Sequence, residues 1–539
     1  MAMYFDWKTM PLRAPSALGE AEREAPVVIV GGGPVGLATA LGLARHGVRS
    51  VVLEARRTIS QGSRALAMNR RSMQILDALG VGPEVLARGM RWSKGWTYYG
   101  SRQVHFMDLK PPPHEHHGQT NLQQCWMEQL LLDAIEADGH ASVRYGHEVT
   151  GFSEDAQGVS LQVHTEAGDY TQRGRYLVAA DGPRGLSRRV AGLAYEGTSY
   201  SQRFVINDIL CDHPLEPGRR LFFSPPYLPG KTVLMHLAPH GMWRLDFQLL
   251  DEQDADEEMQ PERVHRRIRA HFELMGIDAD YELVLTSVYK ANAVSLPAYR
   301  QGRVLFAGDA AHQVPIFGGR GVNHGYADAH NLAWKLAAVL QGAPDTLLDS
   351  YSQERRGDIL DTLRELTKTT IFITTPSPGV ALVREAVLSL STRESFLANL
   401  FDPYASPPHD YTDSALNATT AADEADFPPR CRSGAVAPDV ALDGGGRLHD
   451  RLGPWFTLLR FGASGQAWTA PAGLPLPVRT LDLPADSAAA TLYGARPGTV
   501  YLLRPDHRIA GRWRAPSATD IQAALRVGQQ LPASAQETA

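Results

Sequence analysis

The alternation of apolar and polar positions divides the chain into units that change texture at a few points. VVIV, from Val27, is a short run without a polar residue, and GGGPVGLATALGLARHG after it reads as a tight turn opening a helix of small residues. SVVLEA is the next strand, so the segment predicts a βαβ unit in a parallel sheet. ALAMNRRSMQILDALGV and QCWMEQLLLDAIEA carry apolar residues at helical spacing. Between about 145 and 180 the pattern shifts to short alternating strands, VSLQVHTEAG and RYLVAADG. From about 195 to 290, FVINDIL, RRLFFS, TVLMHL and MWRLDFQLL predict a mostly antiparallel sheet inserted into the first domain. GRVLFAGDAAH returns to buried α/β texture, followed by a long helix through NHGYADAHNLAWKLAAVL and helical segments to about 400. The expected units are an N-terminal flexible or docking arm (1–25), the first part of a nucleotide domain (26–195) and an inserted sheet (196–295). The nucleotide domain is then completed with a helical segment (296–400), followed by a polar, proline-rich linker (401–430) and a last unit (431–539) with strands FTLLRFG and TVYLLRPD.

Composition narrows the class. The 539 residues carry 53 Lys+Arg against 59 Asp+Glu, a net charge of −6, which gives no reason to expect a nucleic-acid partner. Cys125, Cys211 and Cys431 are too scattered for a disulfide framework or a zinc site, and a reducing, cytoplasmic compartment is expected. The uncharged stretch Val27 to Ala44 is interrupted by Gly31, Gly32, Gly33 and Pro34, so it reads as strand, turn and helix, and no membrane span is expected. His105, His114, His116 and His117, beside PPP, have no metal-binding spacing and read as a solvated loop. Trp334 and Leu336 read as helix core.

Two glycine-bearing motifs carry chemistry. Gly31-x-Gly33-x-x-Gly36 follows a strand and opens a helix. The first glycine permits the turn, the second lets backbone approach a pyrophosphate, and the third lets the helix pack closely on the sheet. Glu54 ends the next strand, where an acidic side chain accepts hydrogen bonds from a ribose diol. This pair leaves NAD and FAD both open. The second motif, Gly302 to Ala337, favours FAD: Asp309 at a strand end suits the hydroxyls of a polyol chain. Gly321, Val322 and Asn323 precede a helix N-terminus that favours the anion of a reduced flavin.

With GGGPVGLATA, the DG motif in YLVAADGPRGLSRRV, and GDAAH with its loop, the chain resembles the class A flavoprotein aromatic hydroxylases over about residues 26 to 360. That group includes para-hydroxybenzoate hydroxylase, phenol 2-monooxygenase and 3-(3-hydroxyphenyl)propionate hydroxylase. The resemblance implies an α/β fold: a Rossmann-like FAD-binding domain with an inserted antiparallel substrate sheet, a helical segment and a thioredoxin-like C-terminal domain. No cysteine lies after Cys431, so that last domain is expected to be structural or a homodimer contact rather than a redox unit.

By the same resemblance Gly31, Gly33, Pro34, Val35, Gly36, Glu54 and Ala55 hold the adenosine half of FAD, Arg64 lies near the pyrophosphate, and Gln124 lies beside the ribityl chain. Asp309, Gly321, Val322 and Asn323 surround ribityl and flavin, and Asp181-Gly182, with Arg184 close by, is a dual FAD/NAD(P)H motif. Three departures stand out: Pro315-Ile316 where Pro-Pro is common, Arg320 where Gln or Lys is usual, and Gly185 where serine is usual. For Arg320, a hold on a flavin or substrate anion and a surface salt bridge both remain open.

The implied activity is hydroxylation of a phenolic or other electron-rich small aromatic substrate with NAD(P)H and O2, through a flavin C4a-hydroperoxide kept from water. With no second dinucleotide fingerprint, the nicotinamide donor is expected to visit transiently. His236, Arg244, Pro315 and Ile316 are the substrate-facing candidates, with Asp246 and Tyr289 in the same region. The alternatives are a flavin oxidase or reductase that makes peroxide, and an FAD-binding sensor without turnover. A flavin halogenase is disfavoured, since W-x-W-x-I-P is absent.

Overall fold

The computed structural model describes residues 5–61, 65–110, 118–250, 252–317, 319–400, 409–418, 426–462 and 468–532. Its first sheet is built on the apolar strand Glu24–Val30, whose Val27, Val28 and Ile29 are completely buried. A strand covered on both faces has no use for polar residues, which is why this one reads as an unbroken apolar run. It pairs in parallel with Ser50–Glu54 on one side and Gly168–Ala179 on the other. Ala141–Tyr145 extends the sheet beyond Ser50–Glu54, and Val304–Phe306 lies parallel to Gly168–Ala179. The chain leaves this sheet after Ala179 and re-enters it at Arg300–Gln301, so the intervening strands are an insertion. The helix Pro34–Arg45 packs on the sheet and the helix Gly321–Leu340 packs against it in turn, with Trp334 and Leu336 fully buried as helix core.

The inserted sheet has the order His312–Gln313, Glu282–Ser295, Glu196–Leu210, Met242–Gln248, Thr232–Leu237, Arg219–Phe223, Lys94–Tyr99 and Arg102–Asp108. All its pairings are antiparallel except that of Arg219–Phe223 with Lys94–Tyr99. The sheet therefore recruits strands from outside the expected 196–295 segment. Lys94–Tyr99 and Arg102–Asp108 precede it by about a hundred residues, a pairing that local periodicity cannot show. Its two faces have different neighbours. Trp243, Leu245, Phe247, Val233, Met235 and Phe222 pack on the helix Pro261–Met275, whereas Phe204, Leu221 and Leu234 join the main core with the first domain.

The last unit is a four-stranded sheet in which Phe456–Phe461 runs parallel to Val478–Leu483 and antiparallel to Val500–Leu503, with Ile509–Trp513 at the edge. Helices Ala488–Tyr493 and Ala518–Gly528 complete the thioredoxin-like layout. Cys431 is buried in this unit and its thiol is pushed up to about 12 by that burial, which leaves it unreactive.

The expected linker is not free chain where it is described: Tyr411, Leu416 and Phe427 are buried. Its polar and proline-rich composition hides these apolar anchors. The arm also docks, with Phe5 packed edge-on against Trp126 at 5.0 Å. No single helix among the described residues is long and apolar enough to cross a membrane; Asp345–Thr374 with Pro378–Ser391 meets that test only as a pair bent by 88°.

A buried ion cluster fastens the last unit to the first domain. Glu354 accepts hydrogen bonds from Arg504 Nη1 (2.6 Å) and Nη2 (2.9 Å), Lys335 Nζ (2.7 Å), Asn331 Nδ2 (2.7 Å) and Ser414 Oγ (2.5 Å). Burial alone would raise the Glu354 carboxyl, but Arg504 and Lys335 hold it well below the usual carboxylate range. Trp334 also meets Phe456 of the last unit edge-on at 5.7 Å.

Candidate flavin site

The parallel strands set the position of the site. Val30 pairs with Ala179 and with Leu53, and Ala179 with Phe306, so adjacent strands end at one edge of the sheet. Immediately beyond those ends lie the Gly31–Gly36 turn, Glu54-Ala55, Asp181-Gly182 and Gly308-Asp309. Ligands of open α/β sheets bind in the crevice outside the carboxyl ends of the strands, so four segments scattered over nearly 280 residues become one rim.

The two glycine loops touch. A methyl group on Gly308 would stand 2.9 Å from Val35 Cγ2, and one on Gly325 would overlap the same side chain. Val35 of the first motif is thus wedged against both ends of the second. Gly31 has φ 107° and its N–H donates to Leu53 O at 2.9 Å; a side chain on Gly36 would overlap the Gly31 carbonyl oxygen. Gly33, by contrast, faces open space, as does Gly321 at the start of the long helix. At neither position does an atom of the described residues stand where a Cβ would be. In that helix the first backbone bond is His324 N–H to Arg320 O (3.0 Å), so the N–H groups of Gly321, Val322 and Asn323 have no partner within the helix.

Glu54 is buried, with Oε2 accepting the Gly32 N–H (2.7 Å) and Oε1 accepting the Arg56 N–H (2.9 Å) and Nε (2.8 Å). Burial would raise this carboxyl, but Arg56 and the backbone N–H groups hold it below the ordinary glutamate range. Pro34 opens the helix at its first position, and Ala55 is exposed at the rim. Gln124 begins the helix Gln124–Asp138 and bonds to Glu128 Oε1 (2.8 Å), Ser60 Oγ (3.4 Å) and the Ala65 N–H (3.3 Å). Arg64 lies outside the described residues, as do His114, His116 and His117; His105 sits on the strand Arg102–Asp108. No group of three or more His, Cys, Asp or Glu among the described residues is arranged to hold a metal.

One side chain that braces the second loop escapes sequence reasoning. Asp328, completely buried, accepts from the Gly308 N–H (2.9 Å), pairs with His312 Nε2 (2.7 Å) and is held by Arg355 Nε (2.7 Å). It clamps both ends of the Gly308–His312 turn. Burial opposes its charge, yet His312 and Arg355 keep its carboxyl below the ordinary range. A lone acid inside the apolar helix pattern YADAHN was the available signal. Asn323 turns out to be the second brace: its Oδ1 accepts the Asn69 N–H (2.9 Å), and its Nδ2 donates to Ala67 O (2.9 Å) and to Gly319 O. Its amide is engaged within the protein, and its backbone N–H lies in the first turn of the helix.

The departures from the family pattern find structural reasons. Ile316 has the N–H that a proline lacks, and donates it to Tyr289 Oη (3.1 Å), while its carbonyl accepts the Gly319 N–H (2.8 Å). Pro315 is buried beside it. Arg320 is largely buried, with Nη1 3.9 Å from Glu365 Oε2. Asp181 Oδ2 accepts the Ser187 N–H (2.8 Å), and a side chain on Gly185 would overlap the Asp181 carboxylate. Gly185→Ala is therefore expected to displace Asp181 and lower stability by about 1–2 kcal/mol, read from chemical denaturation; unchanged stability would show that Asp181 moves aside freely. Arg184 is exposed and Gly182 has φ 78°.

The wall opposite these loops is the first-domain face of the inserted sheet. Phe204 meets Phe317 edge-on at 5.4 Å, and Tyr289 is its cross-strand neighbour. Arg244 is directed to Asp208 through Nε–Oδ1 and Nη2–Oδ2 bonds, both 2.8 Å, so the structure gives it an anion of its own. His236 lies across from Arg244 in register.

Comparison with known proteins agrees with this geometry. Residues 24–364 match the family described as FAD binding domain. A 3-(3-hydroxy-phenyl)propionate/3-hydroxycinnamic acid hydroxylase of Mycobacterium avium is 29% identical over 94% of this chain and 92% of its own length. A flavin-dependent monooxygenase of Mycobacteroides abscessus is 30% identical over 81% of this chain and 88% of its own. Among solved structures, aklavinone-11 hydroxylase in complex with FAD and aklavinone superposes with a TM-score of 0.76 at 27% identity, covering 94% of this chain and 99% of that one. The chain belongs to the FAD binding domain family and is a flavin-dependent monooxygenase.

Proposed function

We propose that the protein hydroxylates a phenolic ring, of the kind represented by 3-(3-hydroxyphenyl)propionate, using O2 and a transiently visiting NAD(P)H. The observation that carries this reading is the wedge of Val35 against Gly308 and Gly325, which joins two cradles at one strand edge opposite an apolar sheet wall. In this reading Gly31, Gly33 and Gly36 receive the pyrophosphate at the positive end of the helix Pro34–Arg45, and Glu54 accepts from the ribose. Asp309 accepts from the ribityl hydroxyls, and the N–H groups of Gly321, Val322 and Asn323 meet the negative edge of the flavin. When bound and reduced, the flavin supplies with O2 an electrophilic oxygen. The chain's own part is to hold the ring against Phe204, Leu234 and Pro315 and to exclude water there.

Two measurements test the reading. Asp309→Ala is expected to weaken FAD retention about tenfold, the effect of losing a charge-assisted hydrogen bond, as measured by the FAD content of the purified variant and by titration. The wild-type enzyme should consume NAD(P)H faster when 3-(3-hydroxyphenyl)propionate is added, with hydroxylated product equal to NAD(P)H consumed. Peroxide in equal amount, with no product, would instead identify an oxidase.

A further inference from the structure

One carboxyl on the substrate-side wall has no work inside the protein. Ile206, Asp246, Leu234, Leu221 and Thr97 form one row across five neighbouring strands. Asp246 is therefore flanked on both sides by buried aliphatic residues, on the face whose Phe204, Leu221 and Leu234 pack into the main core. Phe204 and Gln248 are paired one step along the same strands, two residues from Asp246, and Phe204 touches Phe317 of the loop that follows Pro315-Ile316. A step of two residues is about 7 Å, so Asp246 lies within reach of a ring seated under that loop. It is only 5% exposed, and its Oδ1 has no hydrogen-bond partner among the described residues. Its obvious cation, Arg244, is turned to Asp208. A buried carboxyl oxygen without a partner is costly, and one kept in a native structure calls for an explanation such as a catalytic role, a ligand or an ordered water.

We propose that Asp246 is the proton acceptor for the ring hydroxyl of the substrate, so that the ring is attacked as its phenolate. This rests on the hydroxylase reading above. The O–H bond breaks with its electron pair left on the ring oxygen, and the proton passes to Asp246 Oδ1. After one oxygen atom of O2 has been transferred to the ring carbon, that carbon loses its hydrogen as a proton and Asp246 returns its own to the ring oxygen. The proton lost from the ring carbon ends on the newly added oxygen. The second oxygen atom leaves as water, with the hydride of NAD(P)H supplying two electrons and one proton and solvent the other proton, and Asp246 ends as it began.

The surrounding charges suit this task. Burial pushes the Asp246 carboxyl up to about 7; Arg244 on its own strand pulls against that, and Asp208 on the adjacent strand adds to it. His236, across the sheet, is pushed down to about 3 by burial and by Arg219 and Arg244, and so stays neutral. The facing segment Val314–Phe317 brings no charge. Asp246 thus becomes a carboxylate, able to accept a proton, as pH rises through about 7.

The test compares FAD-loaded wild type, Asp246→Asn and Asp246→Glu with 3-(3-hydroxyphenyl)propionate and with 3-phenylpropionate, which lacks the hydroxyl. In wild type, the rate of product formation should rise through a limb near pH 7. Above that pH the hydroxylated ligand should bind at least tenfold more tightly than its analogue, as followed by the perturbation of flavin absorbance. Asp246→Asn, nearly identical in shape, should lose the limb and the preference for the hydroxyl, and should form product at pH 7 at least tenfold more slowly. Asp246→Glu should restore a limb at a shifted pH. Wild-type hydroxylation with an Asp246→Asn variant that keeps both the limb and the preference overturns the assignment alone. A wild-type enzyme that neither binds nor hydroxylates any phenol overturns the function reading and the assignment together.

Discussion

Glu354→Ala is expected to destabilise the protein by about 3–5 kcal/mol, the usual cost of removing one partner from a buried ion cluster. Glu354 is 4% exposed and receives five hydrogen bonds, two of them from Arg504 in the last unit. Without it, Arg504 keeps Asp506, to which its Nη2 bonds at 2.5 Å, but Lys335 keeps no carboxylate within the bonds seen here. Burial already pushes the Lys335 ammonium down to about 8, against the attraction of Glu354; with Glu354 gone it should lose its proton near neutral pH. The sign of the pH dependence follows from the depressed carboxyl. Its stabilisation is present above the ordinary glutamate range and is lost as pH falls through the lower value it has when folded. Urea unfolding at pH 7 is the check, with limited proteolysis to show whether the last unit is released first. A change below about 1 kcal/mol would mean that this cluster is a weak fastening.

Gly36→Ala is expected to abolish FAD retention, with at least a hundredfold loss of affinity, about 2.7 kcal/mol or more. The added methyl group would overlap the Gly31 carbonyl oxygen, which belongs to the backbone and cannot swing away. Gly31 is itself fixed by its bond to Leu53 and by a left-handed φ. The helix Pro34–Arg45 must therefore back away from the sheet, and with it the positive helix end and Val35, the residue wedged against the second loop. The ratio of visible to ultraviolet absorbance in purified protein reads the result directly. Wild-type FAD content in the variant would mean that close packing of helix on strand is not needed for the site.

These two predictions mark the boundary of what the amino-acid order reveals. The glycine loops, the strands that lead into them and the long helix after GDAAH are legible because each constraint is local: a turn that needs glycine, an apolar run covered on both faces, a helical period. Convergence of the loops is implied by topology, but the contact that joins them, Val35 on Gly308, links positions 273 residues apart and has no local trace. The same holds for Asp328, which reads as an odd acid in a buried helix until it is seen to clamp Gly308 and His312. Arg504 and Glu354 are separated by 150 residues and look like ordinary surface charges in sequence. The strand Lys94–Tyr99 is invisible as part of the inserted sheet because its partner, Arg219–Phe223, lies on the far side of the Gly168–Ala179 strand in chain order. Candidate residues on the wall are legible by strand, whereas their partners are not: Arg244 reads as a substrate-facing candidate, and only the folded register shows Asp208 opposite it and Asp246 left over.

Whether the two loops hold one FAD between them is read by a spectroscopic titration of flavin-stripped protein with FAD, repeated in the presence of ADP. Saturation is expected at one FAD per chain, with ADP competing for the adenosine half at the first loop. Protein that takes up no flavin, or whose uptake is indifferent to ADP, would contradict it.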